Sequence, residues 1–174
     1  SPNGELVVGT YSCFGGDERG FIYWPATDQF LTMPMPPGIT SLWAFDVNDA
    51  GKVSGTMDGV GIGQRGYIYD LNSGQYVTQI PSPVSGGQSA ITGINAVGWA
   101  WGYRTIKEPA NAIINAAFVL TPEGSIIDLG IMNGPRSAAT DITENNIVVG
   151  WTGGGLLAIG TRAFIWQGGN TTLL

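Results

Sequence analysis

Thirteen aspartates and glutamates are the chain's main chemical resource. Two carboxyls held about 5–9.5 Å apart could hydrolyse a glycosidic bond, one as acid and the other as base or nucleophile. Here Asp17, Glu18, Asp28, Asp49, Asp58, Glu123 and Glu144 fall mostly at turns, and none stands in a distinctive motif. Histidine is absent. That removes Ser-His-Asp and Cys-His catalysis, histidine-ligated zinc and the usual proton shuttle of neutral pH. Cys13 is the sole cysteine, so there is no internal disulfide and no Cys-x-x-Cys metal or redox motif. The expectation is a non-catalytic protein with no cofactor and no bound transition metal. A lectin or a carboxylate-dependent glycan-active enzyme is the alternative.

Other side chains could bind rather than react. Arg19, Arg65 and Arg162, three of the five arginines, share one context, Arg-(Gly/Ala)-aromatic-Ile. They could form a ring of guanidiniums for an anion or an acidic glycan. The reading favoured is structural: each pairs with an acid or a carbonyl between neighbouring sheets, a role that suits arginine. Asp46 and Asp141 share another position. Calcium wants six to eight oxygens and no Asp-x-Asp-x-Asp-Gly loop exists, so turn capping is favoured. Of six tryptophans, Trp24, Trp101 and Trp166 read as core. Trp43, Trp99 and Trp151 sit near strand ends and are the candidates to stack on a sugar. Asn170-Thr171-Thr172 matches a glycosylation sequon, a weak motif.

The elements that position these residues come from a repeat. Asp46-Val47-Asn48-Asp49-Ala50-Gly51 aligns with Gly93-Ile94-Asn95-Ala96-Val97-Gly98 and with Asp141-Ile142-Thr143-Glu144-Asn145-Asn146. Glycine or asparagine in the last column tolerates positive φ and marks a tight hairpin, with Asn48 and Asn95 opening the turn. Gly9, Gly55, Gly102 and Gly150 close the unit at intervals of 46, 47 and 48 residues. A second block follows: Arg19–Trp24, Arg65–Asp70, Ala116–Thr121 and Arg162–Gln167, each a small residue, an aromatic and a β-branched residue. That is strand composition, with the small residue where another backbone comes close.

Each unit thus supplies four short strands, a to d, in about 47 residues, the signature of a propeller blade. With 28 glycines, 10 prolines and only 11% charged residues, a helical bundle is excluded. The expected fold is all-β and β-propeller-like, a single domain over 1–174 with repeats at approximately 1–38, 39–86, 87–136 and 137–174. The first blade lacks strand a, so three strands there and four in each other blade give 15.

The repeat resembles the HAF repeat of extracellular bacterial and archaeal proteins. Asp46-Val47-Asn48 with Gly55, Gly93-Ile94-Asn95 with Gly102, and Asp141-Ile142 with Gly150 carry the resemblance. Ala117-Phe118, Ala163-Phe164-Ile165-Trp166 and Asp128-Leu129-Gly130 carry the rest. The histidine that gives that family its name is Arg19, Arg65, Ala116 or Arg162 here. The resemblance implies a propeller at the cell surface or outside the cell, and says little about activity.

Net charge is −6 without a basic run, so nucleic acid is not an expected partner. No apolar run approaches 18 residues, so no membrane span is expected. The start at Ser1-Pro2, without a leader, reads as a trimmed product. The expected partner is a second copy, in an oligomer or filament built through the ends, or a glycan. An incomplete first blade leaves an edge that templates pairing. Leu173 and Leu174 at the end, and Leu156, Leu157 and Ile159 in an uncharged loop, are the candidate interface residues.

Overall fold

The computed structural model spans the whole chain and describes residues 1–12, 14–108, 111–130, 134–154 and 160–174. Cys13, Leu156, Leu157 and Ile159 lie outside the described residues. Within them the structure has 15 strands and no helix. The first blade holds β1 (Val7–Ser12), β2 (Glu18–Trp24) and β3 (Gln29–Thr32). The second holds β4 (Ile39–Val47), β5 (Lys52–Gly59), β6 (Arg65–Asp70) and β7 (Gln75–Ile80). The third holds β8 (Ser89–Ile94), β9 (Ala100–Lys107), β10 (Ile113–Leu120) and β11 (Ile126–Gly130). The fourth holds β12 (Arg136–Ile142), β13 (Val148–Gly153), β14 (Arg162–Gln167) and β15 (Asn170–Leu173). Each blade is an antiparallel meander in chain order. One parallel bridge, Asn115 to Arg136, joins the third and fourth into a continuous sheet.

The turn chemistry is as the repeat requires. Gly4, Gly51, Gly98 and Asn146 all carry positive φ, at 75°, 74°, 92° and 60°. At the head of each turn a side-chain oxygen takes the backbone N–H four residues on: Asn48 Oδ1 from Lys52, Asn95 Oδ1 from Trp99 and Thr143 Oγ1 from Ile147. These are local side-chain turns, the use for which Asn and Thr are suited.

The closing glycines have a separate cause. Strand a carries a bulge at the same place in each complete blade, between Ala44 and Asp46, Ile91 and Gly93, and Ala139 and Asp141. The bulge pushes a strand-a carbonyl over strand b. A Cβ on Gly55, Gly102 or Gly150 would lie 2.0, 1.9 or 2.3 Å from the carbonyl oxygen of Trp43, Ala90 or Ala138. Only glycine fits beneath that carbonyl.

Strand a of each blade packs on strands b and c of the blade before it. The first core cluster joins Ile22 and Met33 of blade one to Leu42, Val53, Met57 and Tyr67 of blade two. A second joins Ile68 and Ile80 to Ile91 and Phe118. A third joins Trp101 and Val119 to Ile142, Val148 and Phe164. None of these clusters joins the first blade to the fourth, so the four blades form an arc with two ends.

Candidate interaction surface

The aromatic column of strand c defines which way each blade faces. Tyr67 packs on blade one, Phe118 on blade two and Phe164 on blade three, and all three are buried. Phe21 holds the same place in blade one, where it is half-buried. Its ring lies 5.1 Å from that of Phe30 and 6.4 Å from that of Tyr11, and Tyr11 and Phe30 are 6.0 Å apart. The cross-strand register places Val7 opposite Tyr23 and Tyr23 opposite Phe30 on that same face. Counted from the closing glycine, Val7 and Tyr11 correspond to Val53 and Met57. Val7, Tyr11 and Phe30 are 44%, 37% and 56% exposed, whereas Val53, Met57 and Tyr67 are 0% exposed. The same kind of face is core in one blade and surface in another.

The internal junctions give the pattern of a covered face. Ser89 Oγ accepts from Gly66 N–H and donates to the Ile80 carbonyl. Ser137 Oγ accepts from Ala117 N–H and donates to the Gly130 carbonyl. Each serine thus stands at the start of a strand a, first in β8 and second in β12, and satisfies two backbone groups of the blade before it, as buried polar groups require. At the first junction Leu42 takes the serine's place, and its side chain fills the space above Gly20. Strand b contributes as well: Thr10 Oγ1 accepts from Ala44 N–H, and Thr56 Oγ1 donates to the Ser89 carbonyl. The next residues in that column are Tyr103 and Trp151.

The aspartate column also crosses a junction. Asp46 Oδ1 accepts from Val47 N–H at 2.8 Å and Oδ2 from Ile94 N–H of the next blade at 3.0 Å. Asp141 Oδ1 makes the first of these bonds, to Ile142 N–H, at 2.8 Å. Asn48 Nδ2 donates to the Asn95 carbonyl across the same junction. Buried Asn95 Nδ2 has no partner. The arginines do not bridge blades. Arg19 pairs with Asp17, Arg65 Nε donates to the Ile62 carbonyl and Arg162 Nε to the Leu174 carbonyl, each within its own blade. The side chain that would complete a sheet-to-sheet ion pair is therefore spent on its own loop or last strand.

The tryptophans are distributed singly. Trp43 is on β4, Trp99 in the β8–β9 turn and Trp151 on β13, each half-buried. Trp101 and Trp166 are core, and Trp24 packs against the first cluster. Asn170 is exposed at the start of β15; Leu173 is half-buried against Phe164's cluster and Leu174 is exposed.

A cleft of about 510 Å³ lies between blades two and three, lined by Asn48, Lys52, Ile94, Thr121 and Glu123 among others. Its carboxylate is an acid of ordinary strength or stronger: a hydrogen bond from Thr121 holds Glu123 below the usual range. Asp70 is held down likewise by its hydrogen bond to Lys52, 2.8 Å away. A catalytic general acid needs the opposite displacement. Among the described residues no group of three or more Asp, Glu or Cys is arranged to hold a metal. No helix is long and apolar enough to cross a membrane.

Sequence reasoning missed the blade-one face itself. Its signal was Phe21, which stands in the same aromatic column as Tyr67, Phe118 and Phe164.

Comparison with protein-family models and with curated proteins gave no match. Among solved structures, the chain is similar to the β-propeller domain of the Trilobed protease from Pyrococcus furiosus, described as having an open velcro topology. The two share 11% sequence identity with a TM-score of 0.66, over 100% of this chain and 54% of that one. The fold is a β-propeller. This chain spans about half the length of the chain it matches.

Proposed function

We propose that this propeller is a non-catalytic interaction module that assembles through the ends of its arc, at the cell surface or outside the cell. The observation that carries the reading is the blade-one face. Val7, Tyr11, Phe21, Tyr23 and Phe30 form a continuous apolar and aromatic surface of the kind that blade two buries in its core. Contiguous exposed apolar surface of this sort marks association sites. β1 adds an edge, because among the described residues it pairs only with β2, and an open edge accepts another chain. The resemblance to extracellular HAF repeats supports the location. Sedimentation of the native protein across micromolar concentrations tests the reading: association that weakens when Phe30 becomes Asp is expected. A monodisperse 18.2 kDa species throughout would overturn it.

A further inference from the structure

We propose that the cavity beside Arg65 in blade two binds the singly charged oxyanion of a small polar molecule, a carboxylate or a sulfate ester. The site is built from blades two and three alone and does not depend on the association surface of blade one.

It begins with an arginine whose charge has no partner. Arg65 is half-buried, and only its Nε is engaged, donating to the Ile62 carbonyl at 3.3 Å. Among the described residues no carboxylate lies within ion-pair distance of it, in a chain with 13 acids against 7 bases. In blade one the corresponding charge is closed from within: Asp17, two residues before Arg19, pairs with it at 3.2 Å. Two residues before Arg65 stands Gly63, where an added Cβ would meet only the Gly87 carbonyl oxygen, at 3.7 Å. Asp58, near the end of β5, turns Oδ1 to the Gly59 N–H, and Asp70, at the far end of β6, is held by Lys52. The Arg65 Nη groups are left to bond a ligand. The edge of a guanidinium takes an oxyanion through two parallel N–H groups.

The second observation is the space at that edge. A cavity of about 430 Å³ opens between the β5–β6 and β7–β8 loops, with Arg65, Gln64, Ser82 and Ser85 in its lining and no Asp or Glu. Sites for small organic molecules run from about 300 to 1,000 Å³. Turns over 59–62 and 84–87 form its walls, closed by Ile62 N–H to the Gly59 carbonyl and by Gly87 N–H to the Val84 carbonyl. The N–H groups of Gly61, Ser85 and Gly86 make no hydrogen bond among the described residues. Backbone N–H groups in such turns are further donors to an anion. One guanidinium with no second cation in the lining matches a single negative charge better than the two of a phosphate.

The third observation is that the walls are fixed beforehand. Ser82 Oγ accepts from Val84 N–H in its own loop and donates to the Thr105 carbonyl of blade three. The Gln64 carbonyl accepts from Ser89 N–H, also of blade three. Both loops are thus tied to the next blade, and a preformed site loses less freedom on binding.

NMR titration of the native protein with glucuronate and with a glucose sulfate ester tests this, beside uncharged glucose and inorganic phosphate. Saturable shifts of the Arg65 Nε–H and of the Gly61, Ser85 and Gly86 amides are expected with at least one of the two anions, at a millimolar dissociation constant or tighter. The tighter of the two identifies the acid as carboxylate or sulfate. Glucose should leave these signals in place, and phosphate should bind more weakly. Arg65→Gln is expected to weaken binding by about tenfold or more. Should that variant lose its all-β circular dichroism spectrum, Ser85→Glu, which sets a carboxylate of the protein's own in the cavity, is expected to have the same effect. Equal shifts with glucose, tighter binding of phosphate, wild-type affinity in either variant, or no saturable shift at these residues overturns the proposal.

Discussion

The side-chain amide of Asn48 donates to the backbone carbonyl of Asn95 at 2.9 Å. The two residues hold the same position in consecutive repeats. One asparagine thus closes its own turn through Oδ1 and ties the next blade through Nδ2. With both residues buried, Asn48→Ala removes three bonds and strands the Ala50 and Lys52 N–H groups. A loss of about 2–3 kcal/mol in urea unfolding is expected, whereas Asn72→Ala, exposed, should cost under about 0.5 kcal/mol.

The closing glycines should divide by what lies above them. Gly55→Ala drives a methyl against the Trp43 carbonyl, a backbone atom that cannot step aside. Chemical denaturation should register a loss of at least about 2 kcal/mol. Gly9→Ala meets the edge of the Phe21 ring, which can rotate into solvent, and should cost less than half as much. Equal costs at the two sites would mean that the carbonyl is not the cause.

Ser89→Ala deprives a buried junction of an acceptor for Gly66 N–H and a donor for the Ile80 carbonyl. The cost should be about 1–3 kcal/mol. Ser137→Ala should behave in the same way between blades three and four. Hydrogen exchange at the Gly66 and Ala117 amides reports each loss where it occurs.

Aromatics on the same kind of face in different blades should differ in what they hold up. Phe164 is buried, and Phe164→Ala should cost about 3–5 kcal/mol. Phe30 is exposed, and Phe30→Ser should leave monomer stability within about 0.5 kcal/mol while weakening association. Thermal melts and sedimentation separate the two effects.

The pH response should lie in the acid range. Asp70 has its pKa lowered in the folded state, first by its bond with Lys52. Its contribution is complete above the unfolded carboxylate value, about 3.9, and is lost as pH falls through the lower folded value. Lys52→Met should therefore shrink the loss of stability below about pH 4 and lower stability at pH 7. No histidine exists to add a transition near pH 6.

The architecture was legible because its causes are local. A turn that needs Gly or Asn at positive φ, and a glycine beneath a bulge carbonyl, leave marks at fixed positions every 46 to 48 residues. The same counting placed the missing strand in blade one. What residues touch across a junction left weaker marks. The arginines pair with an acid or a carbonyl, as expected, but within their own blades: Arg19 with Asp17, and Arg65 and Arg162 with the Ile62 and Leu174 carbonyls, backbone atoms that any residue supplies. The serine stitch was invisible for a similar reason, since Ser89 and Ser137 recur in only two of four copies and Leu42 breaks the column. The exposed face was hidden by its composition, as Tyr11, Phe21 and Phe30 read like any core residues.

The order of pairing has a kinetic consequence. Within each blade the strands pair in sequence order, and among the described residues every junction joins consecutive blades. No step of folding must wait for distant termini to meet, so structure can begin at any hairpin and spread to either side. Unfolding runs the other way and starts at the margins. Blades one and four, each packed on a single neighbour among the described residues, should be the first to exchange their amides, and the centre of the chain, from β5 to β10, the last.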